Sequence, residues 1–146
     1  MVKVIFTDLI KPGADWPPVD TESLWATASD SGLFRLENVP FFARGVAFGD
    51  IVSAQPAADG RLTVEDVVRH SGHSTFRILF DAELLGNGRV SEIMQQLVDA
   101  GGTYEKARAN LWALDVADRQ NVNAIQEKLQ ELAELKQLDY EEGYLA

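Results

Sequence analysis

The period of the hydrophobic pattern changes once along the chain, near residue 80, and this change limits the possible folds. Before it, apolar residues fall in short runs separated by turns rich in Gly, Pro, Asp and Ser. After it, two segments repeat their apolar residues at helical spacing. A chain that starts with strands and then alternates strands with helices is predicted to be an α+β protein.

The first part is predicted to form a small β-barrel or a strongly bent sheet. Turn clusters such as SDSG and PAADG separate short strand-like runs, as in small barrels. The last two runs, on either side of the histidines, are expected to pair as a hairpin. The runs are KVIFT, ESLWATA, LFRLENV, DIVSAQ, RLTVEDVVRH and STFRILF.

Two amphipathic helices are predicted in the second part. NGRVSEIMQQLVDAGG repeats its apolar residues at i, i+3, i+4, i+7 and i+8 and ends at two glycines. DRQNVNAIQEKLQELAEL shows a second apolar face, and Asp118 is its expected N-cap. The runs TYEKA, LWALDV and QLDYEEGYL are strand-like. From Ser74 onward the order strand, helix, strand, strand, helix, strand is that of a ferredoxin-like unit.

We therefore predict an α+β fold with two parts. A small N-terminal β-barrel-like sheet, residues 1–72, is fused to a ferredoxin-like (βαββαβ) C-terminal half, residues 73–146. Because the run STFRILF follows the histidines directly, the two parts are expected to pack together without a flexible linker.

Composition narrows the classes of function. The 146 residues are 46% hydrophobic and 25% charged, as in globular proteins, and the formal net charge of −10 disfavours contact with nucleic acid or anionic membranes. An acidic chain is suited instead to a protein partner with a basic surface. The absence of cysteine excludes disulfides and thiolate-bound zinc and is compatible with a cytoplasmic location.

The stretch VVRHSGHSTFR contains both histidines of the chain and is the first candidate site. His70 or His73 could act as a general acid or base with Asp50 or Glu65 as its partner. The competing interpretation is a polar turn in which Gly72 adopts a positive φ and the hydroxyls bind the backbone.

Metal binding and serine chemistry are both disfavoured in this stretch. An odd offset along a strand sends His70 and His73 to opposite faces, and a third ligand would have to come from a distant carboxylate. Ser71 and Ser74 lack the G-x-S-x-G elbow that a serine nucleophile needs. The sequence also has no phosphate-binding glycine loop and no H-E-x-x-H, so neither cofactor nor metal is predicted.

The second candidate is the stretch NVPFFARGVAFGDIV. Phe41, Phe42 and Arg44 could anchor a partner or ligand, or they could fill the core of the barrel. Arg69 and Arg77, which flank the histidines, are further candidates for holding an anion. Trp16 lies beside two prolines and is expected to clamp the end of the barrel.

Three stretches in combination carry a family resemblance: WPPVDTESLWA, GLFRLENVPFFARGVAFGDIV and SGHSTFRI. They resemble the domain-of-unknown-function family 4265 of small bacterial proteins. The resemblance implies a bacterial cytoplasmic protein and assigns no catalytic residues.

Three functions remain open. The leading hypothesis is a non-catalytic binding or regulatory protein, such as an inhibitor or immunity-type partner of a basic protein. The alternative is a small metabolic enzyme that uses a histidine of RHSGHST as a general acid or base. A third hypothesis is regulation by a small molecule bound at the edge of the second sheet.

Overall fold

A computed structural model of the chain describes residues 1–108 and 110–146. It contains a closed five-stranded barrel and a separate four-stranded sheet with two helices. The barrel strands are β1 (Val2–Phe6), β2 (Glu22–Ala28), β3 (Leu33–Leu36), β4 (Ile51–Pro56) and β5 (Leu62–Arg69). The other elements are β6 (Ser74–Phe80), α1 (Arg89–Asp99), β7 (Gly102–Arg108), β8 (Leu111–Val116), α2 (Val122–Glu134) and β9 (Leu138–Tyr144).

The barrel is an antiparallel meander that closes on itself. Each strand from β1 to β5 pairs antiparallel with the next, and β1 also pairs parallel with β5. Alternate residues of β2 point inward, because the strand has one face in the core and one in solvent. The interior is filled by small and branched side chains: Val4, Leu24, Ala26, Leu36, Ala43, Val46, Val52 and Ala54.

The expected hairpin around the histidines is wrong. Strand β5 pairs with β4 and β1, whereas β6 pairs with β8 and β9 in the other sheet. The edge of β5 that could have paired with β6 pairs with β1 instead and closes the barrel. Strand β6 lies inside the second sheet and is buried at six of its seven positions. Residues 70–73 therefore cross from one sheet to the other.

The second sheet has the strand order β7-β8-β6-β9, and all its pairs are antiparallel. Helix α1 follows β6 and helix α2 follows β8, and both pack on one face of the sheet. Their apolar residues form a common core with alternate residues of the central strands: Phe76, Ile78, Phe80, Ile93, Met94, Leu97, Trp112, Leu114, Val116, Val122, Ile125, Leu129, Leu132 and Leu138.

Both helices lie where their apolar spacing predicted them. Asp118 caps a 3₁₀ turn, Arg119–Asn121, by accepting a hydrogen bond from the backbone N–H of Gln120, and α2 begins directly after that turn. The N-cap prediction is thus displaced by one turn. Within residues 1–108 and 110–146, neither helix has the length and apolarity that crossing a membrane requires.

The face of the second sheet opposite the helices is directed toward the barrel. Residues two apart on a strand share a face, so every second residue of β6 points to this side of the sheet. Each of these β6 residues has a partner on β8 and on β9, and together they form three rows across the sheet. We call them row one (Asp115, Thr75 and Tyr144), row two (Ala113, Arg77 and Glu141) and row three (Leu111, Leu79 and Asp139).

Candidate functional site

The stretches that the sequence singles out meet at one place, which we call the junction. It consists of barrel residues 38–50, the crossover residues 70–73 and the three rows of the second sheet. The N–H of Ser71 donates to Asp50 Oδ1 at 2.8 Å, and the Ser71 hydroxyl donates to the carbonyl oxygen of Phe48 at 2.6 Å. The histidine turn and the end of residues 38–50 are therefore in direct contact.

Arg77 in row two is buried and binds the backbone of the barrel loop. Its side chain is 1% exposed, and Nη1 donates to the carbonyl oxygen of Ala43 at 2.8 Å. Nη2 donates to the carbonyl oxygen of Phe42 at 3.2 Å, and Nε donates to Glu141 Oε1 at 3.0 Å. Burial lowers the pKa of the guanidinium, and the adjacent Glu141 carboxylate opposes this effect.

Glu22 binds the same loop from the opposite direction. The residue is 8% exposed, and its carboxylate accepts hydrogen bonds from the backbone N–H groups of Phe41, Phe42 and Ala43 at 2.7, 3.0 and 2.8 Å. These residues belong to no strand, so no ladder supplies partners for their backbone groups. Two buried side chains of opposite charge take the place of that ladder.

Gly143 in β9 makes room for this arrangement. A Cβ atom at this position would overlap Nη1 of Arg77, and the carbonyl oxygen of Gly143 accepts a hydrogen bond from the N–H of Gly45 at 2.9 Å. The glycine of the YEEG stretch is therefore explained by close approach of the barrel loop and the guanidinium.

Glu141 connects Arg77 to two further candidate residues. Its Oε1 also accepts from the indole Nε1 of Trp16 at 3.2 Å, and its Oε2 accepts from Nη1 of Arg44 at 3.0 Å. The Trp16 ring packs edge-on against Phe42, with 5.7 Å between the ring centroids. Trp16 therefore contacts both the second sheet, through Glu141, and the barrel loop, through Phe42.

His70 is held by a buried carboxylate of the barrel. Asp50 is fully buried, and its Oδ2 lies 3.0 Å from Nδ1 of His70 and accepts from the N–H of Ala47 at 2.9 Å. The imidazole stacks on the Tyr144 ring of row one at 4.2 Å between centroids. The His70 ring is thus held between the Asp50 carboxylate and the Tyr144 ring.

His73 pairs with a different carboxylate, on the second sheet. Its Nδ1 lies 2.8 and 2.9 Å from the two carboxylate oxygens of Asp115, and its ring lies 5.5 Å from that of Phe48. Burial raises the pKa of Asp115, and the hydrogen bond from His73 opposes this rise. The two histidines thus form two separate pairs, and no cluster of three metal-binding side chains occurs in the described part of the chain.

Thr75 lies between the two histidine pairs. It occupies the centre of row one, with Asp115 beside it on β8 and Tyr144 on β9. Its hydroxyl is buried and has no hydrogen-bond partner among the described residues. Leaving a buried hydroxyl unpaired costs about 1–3 kcal/mol.

A groove lies next to this network, where the second sheet extends beyond the barrel loop. It has a volume of about 190 Å³. Its floor includes Leu79 and Leu111 of row three, Trp16 forms a wall, and the carboxylates Asp139 and Glu141 border it. We call this cavity the junction groove.

The structure brings together most of the predicted candidates, but not all of them. His70 and Asp50 form one pair, and His73 belongs to another. Arg44 and Arg77 both donate to Glu141, while Phe42 accepts from Arg77 through its carbonyl oxygen and lies beside Phe41. Arg69 and Glu65 are exposed on β5.

Sequence reasoning did not identify Glu22, Glu141 and Asp115 as members of the site. A signal existed for Asp115, because a lone carboxylate inside the apolar run LWALDV must be paired when both faces of the strand are buried. For Glu22 and Glu141 the partners lie 19 or more residues away in sequence, and no local pattern reveals them.

Comparison with known proteins places residues 22–140 within the family model described as "Domain of unknown function (DUF4265)". The fold resembles that of a crystal structure described as a hypothetical protein from Neisseria gonorrhoeae, with a TM-score of 0.82. The alignment covers 99% of this chain and 95% of that chain at 19% sequence identity, so this likeness shows the fold alone. A search of curated proteins found no match.

Replacing Glu22→Gln is expected to lower the free energy of unfolding by about 1–3 kcal/mol. An amide keeps the shape but offers one acceptor oxygen, and its NH₂ group would face backbone N–H donors. Urea unfolding followed by tryptophan fluorescence measures the change. The matched control is Glu134→Gln at the exposed end of α2, which is expected to stay within about 0.5 kcal/mol of the wild type. Equal stability of the two variants would contradict the role of Glu22.

Proposed function

The chain belongs to the family described as Domain of unknown function (DUF4265), and we propose that it is a non-catalytic binding protein that recognises a positively charged protein partner through the junction groove. The observation that carries this proposal is the chemistry of the groove. Leu79 and Trp16 provide apolar surface, while Asp139 adds an exposed carboxylate beside Glu141, which already accepts hydrogen bonds from Arg77, Trp16 and Arg44.

The charge of the whole chain supports a cationic partner. A net charge of −10 attracts a basic surface over distances comparable to the Debye length of about 8–10 Å. Complementary charge raises the rate of encounter and fixes orientation, while apolar contact in the groove would supply affinity.

The charged side chains beside the groove are already bound to other groups of the protein, and this favours a binding role over a catalytic role. Arg77, Glu22 and Glu141 are all engaged in holding the barrel loop. Their hydrogen bonds make the groove wall rigid, and a preorganised surface loses less entropy on binding. An inhibitor or immunity-type partner of a basic bacterial protein in the cytoplasm is the concrete form of this proposal.

We also propose that the second sheet and its helices form a ferredoxin-like unit, packed on the barrel as one folding unit without a flexible linker. The order of strands and helices from β6 to β9 and the sheet order β7-β8-β6-β9 support the first part. The hydrogen bonds from Arg77 to the barrel loop support the second.

Charge reversal at the groove tests the binding proposal. Random peptides displayed on phage are selected on immobilised wild-type protein, on Asp139→Lys and on Glu131→Lys. The control Glu131→Lys makes the same charge change at an exposed position of α2, on the helix side of the sheet. The wild type and the control are expected to select peptides rich in Lys and Arg, whereas Asp139→Lys is expected not to select them. Enrichment of neutral or acidic peptides, or undiminished selection by Asp139→Lys, contradicts the proposal.

The geometry of His73 favours a second candidate function, a small enzyme acting on a polar metabolite. Asp115 orients the imidazole through Nδ1 and leaves Nε2 as the nitrogen that can exchange a proton with a substrate. The unpartnered hydroxyl of Thr75 lies in the same row as Asp115.

This second candidate predicts a loss of at least about 100-fold in turnover for His73→Gln, the usual contribution of a general base. The assay follows hydrolysis of a panel of model esters, amides and phosphate esters. The control His70→Gln alters the neighbouring pair and is expected to retain turnover. Activity that is absent in the wild type, or that His73→Gln leaves unchanged, excludes this candidate.

A further inference from the structure

The volume of the junction groove determines what size of ligand it can hold. Small-molecule sites usually measure about 300–1,000 Å³. A cavity of about 150 Å³ holds one benzene molecule. At about 190 Å³ the junction groove is large enough for a single long side chain and smaller than the usual small-molecule site.

The lining of the groove is complementary to a side chain that has an apolar stem and a positively charged end group, which we call the head. Leu79, which is 36% exposed, would contact the stem, and the buried Leu111 lies beside it in row three. The head would meet Asp139, which is exposed at the end of row three and forms no ion pair with the side chains described in residues 1–107 and 110–146. Lysine and arginine are the two side chains with this character.

Glu141 does not compete for the incoming head. Its two carboxylate oxygens already accept hydrogen bonds from Arg77, Trp16 and Arg44. Arg77 also lines the groove, and its hydrogen bonds reduce the repulsion that its positive charge would exert on an incoming cation. The guanidinium of Arg77 shares the Glu141 carboxylate with Arg44 and also donates to backbone carbonyl oxygens, including those of Ala43 and Phe42, so its hydrogen-bonding groups are directed away from the groove's exposed carboxylate, Asp139.

Trp16 and the apolar lining favour arginine over lysine. A guanidinium is planar and weakly hydrated, so it loses less on entering an apolar groove and can lie against an indole. It also binds a carboxylate such as Asp139 with two parallel hydrogen bonds, whereas an ammonium binds as a point charge.

We propose that the junction groove is a socket for one arginine side chain of the partner protein, with the stem against Leu79 and the guanidinium between Trp16 and Asp139. This inference rests on the proposed function and adds to it the identity of the recognised side chain.

The test uses the three tryptophan indole signals in ¹H–¹⁵N spectra of the whole chain, with Trp16→Phe to assign the Trp16 signal. N-acetyl-arginine amide is the probe. The comparison probes are the corresponding amides of lysine, of phenylalanine and of citrulline, which has the shape of arginine without its charge. The arginine probe is expected to shift the Trp16 signal saturably and to leave those of Trp25 and Trp112 in place. The other three probes are expected to bind at least tenfold more weakly.

Two variants complete the test. Asp139→Asn is expected to lower the affinity for the arginine probe at least tenfold. Glu131→Gln, on the other side of the sheet, is expected to leave this affinity unchanged. The inference is overturned if citrulline or phenylalanine matches arginine, or if Asp139→Asn binds as the wild type does. It is also overturned if the Trp16 signal moves with protein concentration alone, because a second copy would then fill the groove.

The outcomes separate this inference from the proposed function. Selection of peptides that need Asp139 but contain lysine and no arginine leaves the proposed function standing and overturns the arginine socket. Saturable binding of the arginine probe without selection of any basic peptide contradicts the protein partner and supports arginine specificity of the groove.

Discussion

The structure depends on one arrangement of charges, in which the backbone of residues 40–43 lies between a buried carboxylate and a buried guanidinium. The Glu22 carboxylate accepts hydrogen bonds from the backbone N–H groups, and the Arg77 guanidinium donates hydrogen bonds to the carbonyl oxygens. A loop buried between two sheets would otherwise leave its polar groups unpaired. Because Glu22 belongs to the barrel and Arg77 to the second sheet, the same loop joins the two.

Burial of these charges constrains their surroundings. An unpaired buried guanidinium would cost several kcal/mol, so Arg77 needs Glu141 beside it and the space that Gly143 leaves. The loop lies over row two and leaves Leu79 and Asp139 of row three accessible, and both of these residues line the junction groove. The candidate binding site is thus a consequence of how the barrel is attached to the sheet.

Local patterns predicted the elements but not their assembly. The two amphipathic helices are visible in the period of 3.6, and strands β2, β6 and β8 are visible as short apolar runs. The hairpin prediction around the histidines failed because β5 pairs with β4 on one edge and with β1 on the other, and no turn signal encodes the pairing with the distant β1. Likewise His70 and Asp50 could be nominated as a pair from residue chemistry, whereas the contact of Arg77 with Glu141 depends on the register of β6 and β9.

The central claim is that two buried charges hold residues 40–43 as firmly as strands are held. Amide hydrogen exchange of Phe41, Phe42 and Ala43 tests it most directly. The account predicts that these amides exchange as slowly as that of Ile78 in β6, since both require global unfolding. Exchange at the rate of an exposed turn, such as residues 57–60, would contradict it.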